Sequence, residues 1–301
     1  MKRNSIPMKL IYSILLTAAM LFQISVSAQD TITEQTGPDN RPAKPAFESG
    51  LLFDQQTANI QQKNTLEFVI QHRFGTVENG LNKDLWGIWG PSNIRLGLNY
   101  TILKNVMVGW GATKYNKAQD FQVKYNFLHQ TRSNSVPVSL TLYGNLMINC
   151  EQDAVFGPNY KFDHRYAYFS QLIITRRFSN RFSMQISPSF THYNNVDSLY
   201  EHDKVGLSGA ARYKIIPQTS LMAAVDWPLK IQGIAEYKSF TDPPKPNICI
   251  GAEISTSTHS FHIYFGTSQG ILPEEVMMNN HNDFFKRQFL IGLNITRLWN
   301  F

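Results

Sequence analysis

From about residue 65 onward, apolar and polar side chains alternate one by one. Leu66, Phe68 and Ile70 alternate with Glu67 and Gln71, and Ile94, Leu96, Leu98 and Tyr100 with Arg95, Gly97 and Asn99. Phe121, Val123, Tyr125 and Phe127 alternate with Gln122, Lys124 and Asn126, and Phe182, Met184 and Ile186 with Ser183, Gln185 and Ser187. A period of two sends successive side chains to opposite faces, which means strand. About twelve such runs follow one another, most near the ~10 residues that cross a bilayer at a tilt. Tyr166 to Phe178 is strand-like but partly apolar on both faces. In the last run Phe289, Ile291, Leu293, Ile295, Trp299 and Phe301 share one parity, and Gly292, Asn294 and Thr296 take the other. Arg297 interrupts the apolar face of this closing strand.

Five connections read as short: Lys104-Asn105, Thr131 to Ser135, Ser179-Asn180, Ile216-Pro217 and Ser257-Thr258. They alternate with mostly longer ones near 78–92, 115–119, 150–164, 194–203, 229–246 and 270–287. A soluble β-sandwich would also alternate in polarity, but its loops need not segregate by length. Short turns at one end and long loops at the other predict an all-β protein with one antiparallel transmembrane β-barrel over 65–301. An even strand count brings both termini to the short-turn, periplasmic end. The terminal strand ending in Phe301 has the aromatic finish expected of a signal to the barrel-insertion machinery.

The first 28 residues read as a signal peptide. Lys2, Arg3 and Lys9 form a basic start, Leu10 to Ile24 an apolar core, and Val26-Ser27-Ala28 a small-residue cleavage site. Export to the outer membrane follows as an expectation. Residues 29–64 are polar and irregular, broken by Pro38, Pro42 and Pro45, with an apolar patch from Ala46 to Phe53. This segment either stays a mobile periplasmic leader or enters the barrel as a plug.

Composition refines the class. Aromatics reach 13% while charged residues are only 17%, which suits a lipid-facing barrel with aromatic girdles. The formal charge is +6, but three of those cations lie in the leader, so the mature chain is nearer +3. That is too little for a nucleic-acid partner. Cys150 and Cys249 fall on strands about five apart, and the export route permits a bond between them. No metal or cofactor signature appears: His259 and His262 face opposite sides of a strand, and there is no haem-attachment motif. No nucleophile, base and orienting group can be assembled, so the chain does not read as an enzyme. Thr191-His192-Tyr193-Asn194 lacks a serine on the face of its histidine.

Three stretches, Glu67 to Gly75, Ser92 to Tyr100 and Asp120 to Gln130, carry a resemblance. They are similar to a Bacteroidota outer-membrane β-barrel family known only as a domain of unknown function. The resemblance runs from about residue 45 to the end. It implies an outer-membrane barrel and supplies no activity or catalytic residue.

Parity places Glu67, Arg73, Arg95, Lys124, Arg212, Lys214, Asp226 and Glu253 in the lumen. Twelve strands at the usual tilt enclose a backbone radius of roughly 12 Å. Mixed signs there predict ion pairs that fill the space, or the lining of a narrow, slightly basic pore. Trp86 and Trp89, set among glycines, read as interface anchors or as a lid. The expected function is a narrow or gated channel for a small solute. The alternative is a non-conducting barrel that scaffolds a periplasmic or cell-surface protein. In either case the lipid of the outer membrane is a partner.

Overall fold

The alternating runs close on themselves. The computed structural model describes residues 37–197, 200–231 and 243–301, and within them twelve antiparallel strands form one closed barrel. A small hairpin, β1 (Leu51–Leu52) and β2 (Gln55–Gln56), precedes the barrel. The first half of the barrel is β3 (Thr65–Thr76), β4 (Asn93–Leu103), β5 (Val106–Thr113), β6 (Gln119–Leu128), β7 (Ser139–Ile148) and β8 (Tyr166–Arg177). The second half is β9 (Phe182–Tyr193), β10 (Asp203–Ile216), β11 (Thr219–Pro228), β12 (Asn247–Ser255), β13 (His259–Gly266) and β14 (Leu290–Asn300). Each pairs with its sequence neighbours, and β14 returns to β3 with Ile295 opposite Ile70 and Trp299 opposite Leu66. Closure leaves no strand edge unpaired, the condition for spanning lipid with strands.

Burial follows parity. Along β3 the pattern alternates strictly: Glu67, Gln71 and Arg73 are buried inside, while Leu66, Phe68 and Ile70 face out. Leu96, Leu98, Phe121, Val123 and Ile263 are likewise exposed on the outer wall, where an apolar band meets lipid.

Residues 114–118 make a five-residue turn at the long-loop end, the length read for 115–119. One connection differs in length from the sequence reading. The β6–β7 connection at the short-turn end runs over 129–138, and its extra length holds the incoming chain. Thr131 bridges to Pro42, Ala43 N donates to Gln130 O at 2.7 Å, and Arg132 N donates to Arg41 O at 3.0 Å. Residues 40–301 form one compact unit. The signal-peptide reading over 1–28 lies outside the described residues, as does most of the 229–246 connection.

Past Pro45 the chain turns into the lumen. Phe47, Leu52 and Phe53 are buried against Ala210, Met222, Ala224, Cys249 and Tyr264 of the inner wall. Thr57 closes the hairpin, its Oγ1 donating to Ser49 O at 2.7 Å and its N to Gly50 O at 3.0 Å. The chain then returns to Thr65 at the short-turn end. Apolar residues that break the polar inner face are thus matched by an apolar patch on the segment that covers them.

Candidate functional site

The lumen is filled from both ends, and its wall charges organise the filling. At the hairpin turn Asp54 accepts from Arg73 Nη2, from Tyr264 OH at 3.1 Å and from Asn247 Nδ2 at 3.1 Å. Next to it, Gln55 Nε2 donates to Asp226 Oδ1 at 2.9 Å. Ser208 and Asn247 also donate to Asp226, at 2.7 and 3.0 Å. Lys124 is buried and donates to Gly50 O at 3.1 Å. Asn294 Nδ2 donates to Phe53 O at 2.7 Å.

Other candidate charges pair along the wall. Arg95 Nε and Nη2 reach Asp120 at 2.8 and 2.6 Å, a bidentate pair between β4 and β6. Gly111 on the intervening β5 makes this possible, since a Cβ there would sit 2.4 Å from Arg95 Nη2. Asn99 Nδ2 donates to Glu67 Oε2 at 2.8 Å. Arg212 Nε donates to Glu253 Oε2 at 2.7 Å. At the short-turn mouth Arg212 Nη2 and Lys214 Nζ both reach Glu48 Oε1, at 3.1 and 2.6 Å. Lys214 is only partly buried, whereas the other seven candidate charges are fully buried. The mixed signs predict either ion pairs that fill the lumen or a pore lining. The pairs present run along the wall or from wall to hairpin, because the hairpin occupies the centre.

A second insert enters from the long-loop end. The β13–β14 connection carries the short helix α2 (Pro273–Asn279); α1 (Gly80–Asp84) lies in the β3–β4 loop. Pro273 starts α2, where a missing N–H costs nothing. Glu275 Oε2 accepts from Ile271 N and Leu272 N at 3.1 and 3.4 Å. Met277 packs in one cluster with Ala58 of the hairpin segment and with Tyr143, Phe169 and Ile173 of the wall. This accounts for the two apolar faces of β8. The void between the inserts is only about 10 Å³, lined by Asp54, Gln55, Phe169, Val276 and Met277 among others.

Glu274 and Glu275 are fully buried, and neither has an ion pair among the described residues. Asn145 Nδ2 donates to Glu274 Oε2 at 3.2 Å, and Asn116 Nδ2 to Glu275 Oε1 at 3.5 Å. Burial pushes their carboxyls up to about 8 for Glu274 and about 7 for Glu275.

Trp86 and Trp89 are exposed on the β3–β4 loop, Trp89 at 73%. They are apart from the lumen charges. Both cysteines are free, Cys150 exposed and Cys249 buried beside Asp54, so no bond joins them. Sequence reasoning missed Asp120, although it shares the parity of Gln122 and Lys124. It missed Asp54, Glu48, Glu274 and Glu275 because no period marks irregular segments.

A family model described as a membrane bound beta barrel domain (DUF5777) matches residues 47–299. The chain belongs to that family. The matched DUF5777 region begins at Phe47, the first buried residue of the hairpin segment, so the insert is part of the family domain. By structure the barrel is similar to the COG4313 outer membrane channel from Pseudomonas putida F1. The TM-score is 0.50 at 12% identity, over 80% of this chain and 97% of that one. It is also similar to the KdgM porin (TM-score 0.45, 6% identity, 77% and 98% covered) and to outer membrane phospholipase A from Escherichia coli (0.41, 11%, 78% and 92%). Identities this low speak to fold alone. A search of curated proteins by sequence finds no match.

Proposed function

We propose that this outer-membrane barrel is a gated channel for a small solute, whose resting lumen is filled by residues 47–59 and by the α2 insert. The carrying observation is how the filling is held. Asp54 and Gln55 meet Arg73 and Asp226 through polar contacts that water can replace, beside the apolar contacts of Phe47, Leu52 and Phe53, and the chain enters and leaves the lumen at the short-turn end. A polar wall that can be rehydrated suits a removable plug better than a permanent core. The solved structure with a TM-score of 0.50 is a channel, which supports the same reading. No catalytic role is assigned. The short-turn end faces the periplasm in this reading, and the strand ending at Phe301 contacts the insertion machinery.

Single-channel recording tests the proposal. The full barrel should be mostly closed, and a barrel lacking residues 29–64 should conduct in steady steps. Silence from both, and from a barrel that also lacks residues 273–279, with folding confirmed by heat-modifiable gel mobility, would sink it. The filled lumen itself favours a second reading, a non-conducting scaffold. Under that reading a protein partner co-purifies and is lost when the loops or residues 37–46 are changed.

A further inference from the structure

We infer that the short-turn mouth holds an anion site for a carboxylate- or phosphate-bearing solute, in which Glu48 is the built-in competitor. The inference deepens the channel reading by naming a solute class, and only its transport consequence rests on that reading.

The site is a polar cavity of about 260 Å³ whose lining includes Lys44, Glu48, Arg177, Arg212 and Lys214. Arg212 and Lys214 are two apart on β10, so both project inward. Their shared partner is a single oxygen, Glu48 Oε1. Arg177 on β8 and Arg212 on β10 are both register partners of Ser183 on the intervening β9. Among the described residues the Arg177 guanidinium donates only to neutral acceptors: Asn180 Oδ1 at 2.9 Å, Ser179 O at 3.2 Å and Pro45 O at 3.4 Å. Lys44 has no ion pair among the described residues. Four cations therefore face two carboxylates, Glu48 and the Glu253 that holds Arg212 Nε. Two guanidinium forks and two ammonium groups around one half-exposed carboxylate form a receptor for planar or tetrahedral oxyanions.

Glu48 differs from the other acid. Glu253 is buried on the wall, whereas Glu48 is half-exposed and belongs to the stem of the N-terminal hairpin. A solute anion that takes its place on Arg212 and Lys214 returns Glu48 to water at little cost. The same exchange frees the stem of the hairpin at the mouth. Arrival of the solute is thereby coupled to loosening of the plug.

Calorimetric titration of the mature barrel in non-ionic detergent at low chloride tests the site, with inorganic phosphate and succinate as probes. Saturable binding is expected, tightened several-fold in Glu48→Gln and weakened roughly tenfold in Arg177→Gln, the loss of one charge-assisted contact. Lys44→Gln, at an exposed position, gives a second, smaller weakening if Arg177→Gln folds poorly. Probe binding unchanged or weakened in Glu48→Gln overturns the competitor role, and no saturable binding in either form overturns the site. In nanodiscs, probe binding that is lost when phosphatidylglycerol is present assigns the cations to a lipid headgroup and overturns the solute. Conduction without probe binding removes this site and keeps the channel. Glu48-sensitive binding in a barrel that never conducts keeps the site and removes the channel.

Discussion

Asp54 and Arg73 form an ion pair with both side chains buried, one on the hairpin turn and the other on the barrel wall. Arg73 also lies over the Tyr264 ring at 4.8 Å, and Tyr264 OH donates to Asp54. Three elements thus meet at one carboxylate. Removing one partner of a buried pair strands the other charge, at a cost of about 3–5 kcal/mol. Asp54→Ala should therefore release the hairpin tip, raising open-channel frequency and protease access to residues 47–59. Because the partners are in contact, Asp54→Asn and Arg73→Gln together should cost less than the sum of the two. Additive losses in urea unfolding would show that the pair does not hold the tip.

Tyr264 reaches that position through a steric arrangement on the wall. Its register partners on either side are Gly251 on β12 and Gly292 on β14. A Cβ at Gly292 would lie 2.5 Å from Tyr264 Cζ, so the ring needs the bare backbone beneath it. Gly292→Ala should displace the ring, weaken the Asp54 contact and partly mimic Asp54→Ala in conductance, with the barrel still folded. A variant that runs normally on gels and stays closed would separate Tyr264 from the latch.

The barrel was legible in the sequence because a two-residue period records which side of a wall each side chain takes. The same period placed Arg95 and Lys124 inside. It could not show that Arg95 would reach Asp120, since that depends on Gly111 lying between them on the folded wall. The filling was less legible. Asp54 and Glu275 sit in segments with no repeat, and only the chain's path through the lumen brings them to their partners. The apolar faces of Phe169 and Ile173 on β8 were the one written trace of the second insert, and their partner Met277 lies about a hundred residues away.

The seat of α2 gives a third prediction. Gly206 on β10 faces Met277, and a Cβ there would meet Met277 Sδ at 2.6 Å. Met277 is flexible enough to absorb one methyl group, so Gly206→Ala should change little. Gly206→Val should lift the insert, exposing 267–289 to limited proteolysis while 47–59 stays protected. Equal protection in both variants would mean that α2 is held mainly by its carboxylates.

Those carboxylates set a pH dependence with a definite sign. Glu274 and Glu275 face Asn145 of β7, Asn116 of the β5–β6 turn, Asp120 of β6, and Tyr115 and Tyr193 at the loop end. The cation nearest in influence, Arg95, is committed to Asp120. Their carboxyls titrate at about 8 and about 7 when inserted and near the ordinary 4.5 when released, so the inserted loop holds protons that the released loop gives up. Insertion is then fully favoured below about pH 4.5, weakens as pH rises, and loses most of this contribution above about 8. Proteolysis of 267–289 and open-channel frequency should both rise between pH 5 and pH 9. The variant carrying Glu274→Gln and Glu275→Gln keeps the neutral form at every pH, so it should stay closed over the same range. A pH response that survives both substitutions would place the titrating group elsewhere.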